Sequence, residues 1–71
     1  MQPEVIPIRL NGEAARVPAN QSVAELLDFL NIHSDRVAVE LDKAIVRKRD
    51  WAETILAAGA QVEIVEFVGG G

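Results

Sequence analysis

The sequence predicts an α+β fold in which a mixed sheet of four to five strands carries one main helix packed on one face. Three observations carry this reading. Short segments near both ends and in the middle alternate apolar and polar residues with a period of two. Asn11-Gly12 sits between two such segments. Ser22-Val23-Ala24-Glu25 opens a stretch with helical apolar spacing.

Taken in order, Ile6, Ile8 and Leu10 alternate with Pro7 and Arg9, giving a first strand with one buried face. Pro7 has no amide donor for a ladder, so firm pairing is expected to begin near Ile8, with Met1 to Glu4 as a loose end. Asn11-Gly12 tolerates the positive φ of a type I′ turn and reverses the chain. Glu13 to Val17 forms the return strand, closed by Pro18.

In the capping box, the Ser22 hydroxyl accepts from the Glu25 amide while the Glu25 carboxylate reaches back. Val23, Leu26, Leu27 and Leu30 then fall at i, i+3, i+4 and i+7, one apolar stripe of a helix ending at Leu30-Asn31. Val37, Val39 and Leu41 mark a third strand, Asp42-Lys43 a turn, and Ala44 to Val46 a short fourth strand. Asp50 to Leu56 reads as a helical turn pinned by Trp51 and Ile55, with Trp51 a satellite of the core. Ala58-Gly59 turns into a last strand from Gln61 to Val68. One helix between two strand groups packs most economically across one sheet face, which is the β-grasp or ubiquitin-like architecture. Residues 1–68 form that domain and 69–71 a flexible glycine tail.

Composition narrows the function. The 71 residues contain no Cys, so neither disulfides nor thiolate metal sites supplement the core. No metal or bound cofactor is expected. The net charge of −4 argues against nucleic acid and anionic membrane and fits a basic protein partner. No apolar run reaches membrane-spanning length, and MQPEVIP lacks the features of a signal peptide, which reads as a soluble, cytoplasmic protein. A chain this small buries only about 60% of its unfolded surface, leaving little from which to build a pocket. His33 is the sole histidine, Ser22 and Ser34 lack a nucleophile context, and no phosphate loop is present. Side-chain catalysis is not expected.

The last strand raises the functional question. Val62 and Ile64 are expected to face the helix, with Glu63, Val65 and Phe67 on the opposite face. A single helix covers one face only, so Val65 and Phe67 are candidate partner-docking residues. Gly69-Gly70-Gly71 follows, spanning about 10 Å when extended, with no side chain to obstruct a narrow channel. The Gly71 α-carboxylate is the group such a tail presents, ionised at neutral pH. Activation by a partner, as a mixed anhydride with AMP, would make it an acylating agent. Without that partner, the tail is inert.

With these residues placed, the sequence resembles the sulfur carrier proteins of thiamine biosynthesis, the ThiS family. The likeness runs through IRLNGE, SVAELL, RVAVELDKAIVRKRDW and VEIVEFVGGG. MQPEVIP extends the usual start, and Asp42-Lys43 replaces an Asn-Gly-like turn; neither departure touches the tail. The RDW segment and VGGG ending favour this family over the small subunit of molybdopterin synthase. The resemblance implies that an E1-like adenylyltransferase activates the Gly71 carboxylate, using ATP and Mg²⁺ held by that partner. A persulfide-bearing relay would then convert it to a thiocarboxylate, and thiazole synthase would take the sulfur. The chain would be a protein cosubstrate rather than an enzyme.

Three other readings stay open from the residues alone: a carrier for molybdopterin or another sulfurated product, a non-covalent ubiquitin-like module, and a protein-conjugating modifier. The last is disfavoured by the absence of a second domain or processing extension in this sequence. His33 is expected to be solvated, and Arg47-Lys48-Arg49 to be a solvated run able to meet acidic groups of a partner. Glu63 and Glu66 are placed to orient the tail against a basic groove.

Overall fold

The computed structural model describes residues 4–33 and 35–67. Five strands form one sheet in the order β2-β1-β5-β3-β4, with a single α-helix on one face. The strands are β1 (Val5–Leu10), β2 (Glu13–Pro18), β3 (Val37–Leu41), β4 (Ala44–Val46) and β5 (Gln61–Glu66). The first and last strands are parallel neighbours at the centre, and the other pairings are antiparallel. This is the expected β-grasp arrangement. Among the described residues no helix is long and apolar enough to cross a membrane.

The β1–β2 hairpin turns at Asn11 (φ 50°) and Gly12 (φ 83°), the two positive angles of a type I′ turn. Pairing does not wait for Ile8. It begins at Val5 opposite Pro18, and the Glu4 carbonyl already accepts the Ala19 amide at 2.8 Å. The Pro7 conflict resolves by geometry. The Arg9 and Asn11 amides both donate toward the β5 side, so odd-numbered backbone groups of β1 face β5. The amide Pro7 lacks would point away from β2, and pairing with β5 starts only at Arg9, so neither ladder needs it.

Helix α1 (Val23–Phe29) carries the complete capping box: the Glu25 amide donates to Ser22 Oγ and the Ser22 amide to Glu25 Oε1. It ends at Leu30, and Asn31 (φ 61°) takes the left-handed position that stops it. Val23, Leu26 and Leu27 are buried on its inner stripe, against Ile8, Val17, Val37, Val39 and Val62 from the sheet.

The segment after β4 differs from expectation. A 3₁₀ turn, Lys48–Asp50, leads into further turns rather than a helical stretch to Leu56. Trp51 does pack against the core and donates Nε1–H to the Val46 carbonyl at 2.9 Å. Ile55, however, is exposed, and the buried residue is Leu56. The backbone decides this: Ile55 bridges to Ser22 and the Leu56 amide donates to the Gln21 carbonyl, which turns Leu56 inward under the helix start. Strand β5 ends at Glu66 rather than Val68, which lies outside the described residues.

Candidate functional site

Strand β5 is held on both edges by different means along its length. At its start, Asp42 Oδ1 accepts the Gln61 amide at 2.9 Å while the Asp42 amide donates to the Gln61 carbonyl at 2.7 Å. Asp42 and Lys43 both have positive φ (51° and 72°), so this Asp-Lys pair makes the I′-like turn that Asn-Gly usually makes. The Asp side chain is thereby free to seize β5. In the middle, the Ile64 amide donates to Asn11 Oδ1 at 2.8 Å and Asn11 Nδ2 donates to the Ile64 carbonyl at 3.3 Å. Beyond the strand, the Phe67 amide donates to the Arg36 carbonyl at 2.7 Å.

Side chains of β5 alternate as the sequence implied. Val62 is buried and Ile64 packs on the core, while Glu63, Val65 and Phe67 point away from the helix. Val65 and Phe67 are 53% and 56% exposed, so nothing in the described fold covers them. The tail residues Gly69, Gly70 and Gly71, which include the proposed reactive carboxylate, lie outside the described residues.

The remaining sequence candidates are peripheral. His33 is exposed, its Nδ1 3.9 Å from Asp28 Oδ1. Arg49 is solvated as expected, but Lys48 is tied within the chain to Asp35 Oδ1 at 2.7 Å. Its hydrogen bond and charge hold the Asp35 carboxyl below the usual carboxylate value. Glu66 is exposed on the strand carrying the tail. A shallow cleft of about 240 Å³ beside Leu27, His33 and Trp51 falls below the usual range of small-molecule sites. Among the described residues no group of three or more His, Asp or Glu could hold a metal ion.

The chemistry-bearing geometry is therefore a central strand whose outer side carries exposed Val65 and, just past its end, exposed Phe67, ahead of the glycines in the chain. The ThiS family model matches residues 8–71, tail included. The chain belongs to the ThiS family of sulfur carrier proteins. It is 31% identical over 64 residues to the sulfur carrier protein ThiS of Escherichia coli, covering 90% of this chain and 97% of that one. The solved structure of a thiamine biosynthesis protein (ThiS) from Geobacter metallireducens superposes with a TM-score of 0.82. That match has 29% identity and covers 93% of this chain and 100% of the other. A thiazole synthase of Magnetococcus marinus is 38% identical over 64 residues, covering 90% of this chain. The chain spans only 20% of that protein's length. The family match extends over the three glycines that the sequence marked as the working end.

Proposed function

We propose that this protein carries sulfur for the thiazole moiety of thiamine on the C-terminal carboxylate of Gly71. The single observation that carries the reading is the ThiS-family match through Gly71, on a fold whose central strand is the last described element before those glycines in the sequence.

The chemistry follows from what a glycine carboxylate is and is not. As an anion it resists nucleophilic attack, so it must first be activated. In an E1-like partner that holds ATP and Mg²⁺, a Gly71 carboxylate oxygen attacks the α-phosphorus and pyrophosphate leaves. The terminal sulfur of a persulfide donor then attacks the acyl carbon, AMP departs, and an acyl disulfide forms. A second thiol cleaves the S–S bond, releasing a thiocarboxylate and a new disulfide. Thiazole synthase accepts that sulfur, an oxygen from water or from the acceptor substrate takes its place at the acyl carbon, and the carboxylate returns. A segment similar to this chain occurs within proteins named thiazole synthase, which supports pairing the two activities.

The fold contributes position rather than catalysis. Glycines admit the backbone where any Cβ would collide, and β5 fixes where the tail leaves the domain. Val65 and Phe67, on the outer face immediately before it, dock the partner. The test is intact-mass measurement after incubation with the activating enzyme, ATP and a persulfide donor. One oxygen-to-sulfur exchange localised to Gly71 is expected; unmodified mass throughout would sink the reading.

A further inference from the structure

The outer face of the sheet carries more than its two apolar residues. Strand register lays it out as a grid. In one row, Ile45 of β4 lies opposite Glu40 of β3, which lies directly opposite Glu63 of β5. In the next row Ala38 lies opposite Val65, and Phe67 follows beside Arg36. Odd-numbered backbone groups of β5 face β3, so Glu40 and Glu63 form a hydrogen-bonded antiparallel pair with Cα atoms about 5.5 Å apart.

Two like charges directly opposite each other oppose sheet formation. Among the described residues neither carboxylate has a hydrogen bond or ion pair. The nearest outer-face cation on β1 is Arg9, opposite Gln61 and so diagonal to Glu63; its Nη2 donates to the Gly12 carbonyl at 2.9 Å instead. Ile45 is 67% exposed beside Glu40, Val65 lies one row from Glu63 and Phe67 a further row on, so the carboxylates have exposed apolar side chains on two sides. The face is thus a pair of uncompensated anions set among exposed apolar side chains, on a chain of net charge −4.

We propose that this face docks a protein partner that inserts an arginine between Glu40 and Glu63, flanked by apolar side chains that cover Ile45, Val65 and Phe67. A guanidinium is planar and carries five donors, so one group can meet two carboxylates at cross-strand spacing. Apolar contacts around it exclude water, which strengthens the charge-assisted bonds. A second copy of this chain fits less well, because a face-to-face pair must bring two acidic, net-negative molecules together. The proposal rests on the carrier reading and names the chemistry its docking partner must have.

The experiment uses the full chain with its E1-like activating enzyme, reading ATP–pyrophosphate exchange against carrier concentration. Glu40→Gln combined with Glu63→Gln should raise KM about tenfold or more, with most of the effect on KM rather than kcat. The rise should shrink at high salt. The urea midpoint should hold or increase, because the substitutions relieve a like-charge opposition. A wild-type protein that turns over with a double variant of unchanged KM overturns this proposal while leaving the carrier reading intact. A wild-type protein that supports no exchange fails the carrier reading; unchanged binding of the double variant to thiazole synthase then overturns the docking face as well. Sedimentation of the wild type closes the remaining case: a dimer lost in the double variant assigns the face to a second copy and overturns the arginine partner.

Discussion

Asn11 and Ile64, 53 residues apart in sequence, are joined through both ends of one side-chain amide. Asn11 stands at the hairpin tip with φ 50°, where β1 has already ended. Its amide presents the donor and acceptor that another strand residue would have offered, and so prolongs the parallel pairing of β1 with β5. Asn11→Ala removes both bonds and places a Cβ-bearing residue without local hydrogen bonding at positive φ. We expect a loss of about 1–2 kcal/mol in urea unfolding. The Ile64 amide should also lose protection from hydrogen exchange. Unaltered protection would show that the bond is not maintained in solution.

Leu26 is fully buried at the centre of the helix stripe. Leu26→Ala should cost about 2–5 kcal/mol, a large part of what a domain this small possesses. A shift below about 1 kcal/mol in chemical denaturation would show that the cavity collapses or that the stripe packs otherwise.

Phe67 offers the converse case. Its side chain is more than half exposed, so Phe67→Asp should leave the unfolding midpoint within about 0.5 kcal/mol. Affinity for the activating enzyme and for thiazole synthase should fall by about tenfold or more. Calorimetric titration decides it, and equal affinities for both enzymes would remove Phe67 from the interface.

At the terminus, one alanine added after Gly71 displaces the carboxylate by about 3.5 Å, and deletion of Gly71 retracts it equally. Misplacement near 1 Å can cost about a hundredfold in rate, so adenylate formation should collapse in both variants with stability unmoved. Gly70→Val should do the same by obstruction, and Gly69→Ala should be milder. Pyrophosphate exchange at the normal rate by the extended protein would rule the carboxylate out.

The Asp35–Lys48 pair makes a small, pH-dependent contribution. Asp35 has its carboxyl lowered from 3.8, first by the Lys48 hydrogen bond and then by its charge. A depressed folded-state value stabilises at pH above the unfolded-state pKa, and the gain disappears as pH falls through the folded-state value. Both groups are exposed, so salt should weaken the effect. Lys48→Met should return the Asp35 titration midpoint, followed by carboxyl-carbon NMR, toward 3.8. An unmoved midpoint would mean the two groups do not meet in solution.

Most of the architecture was legible because its signals are local. Asn11-Gly12, the Ser22–Glu25 box and the period-two strands each act within a few residues, and each appears where expected. The sequence points to Ile55 as the inward residue of this turn and does not show that Leu56 is the buried one, because the segment has no apolar period of its own. The choice comes from backbone bonds to Gln21 and Ser22, distant in sequence. The Asn11 and Asp42 grips on β5 leave no trace in the sequence for the same reason: both residues read as turn formers, and their second task depends on which strand passes by. Val65 and Phe67 were legible as exposed, whereas the Glu40–Glu63 opposition required the register of β3 against β5.

The central place of β5 also governs when this chain becomes a folded object during synthesis. Its partners are β1, some fifty residues earlier, and β3, so the middle of the sheet stays vacant until Gln61–Glu66 emerges. Contacts of such long sequence separation are slow to close. Without β5, the β1–β2 hairpin, the seven-residue helix and the β3–β4 ribbon have no central strand to join them, and elements this short do not persist alone. A partner that recognises the assembled outer face would therefore ignore unfinished chains, and every tail it accepts would come from a domain that had completed its sheet.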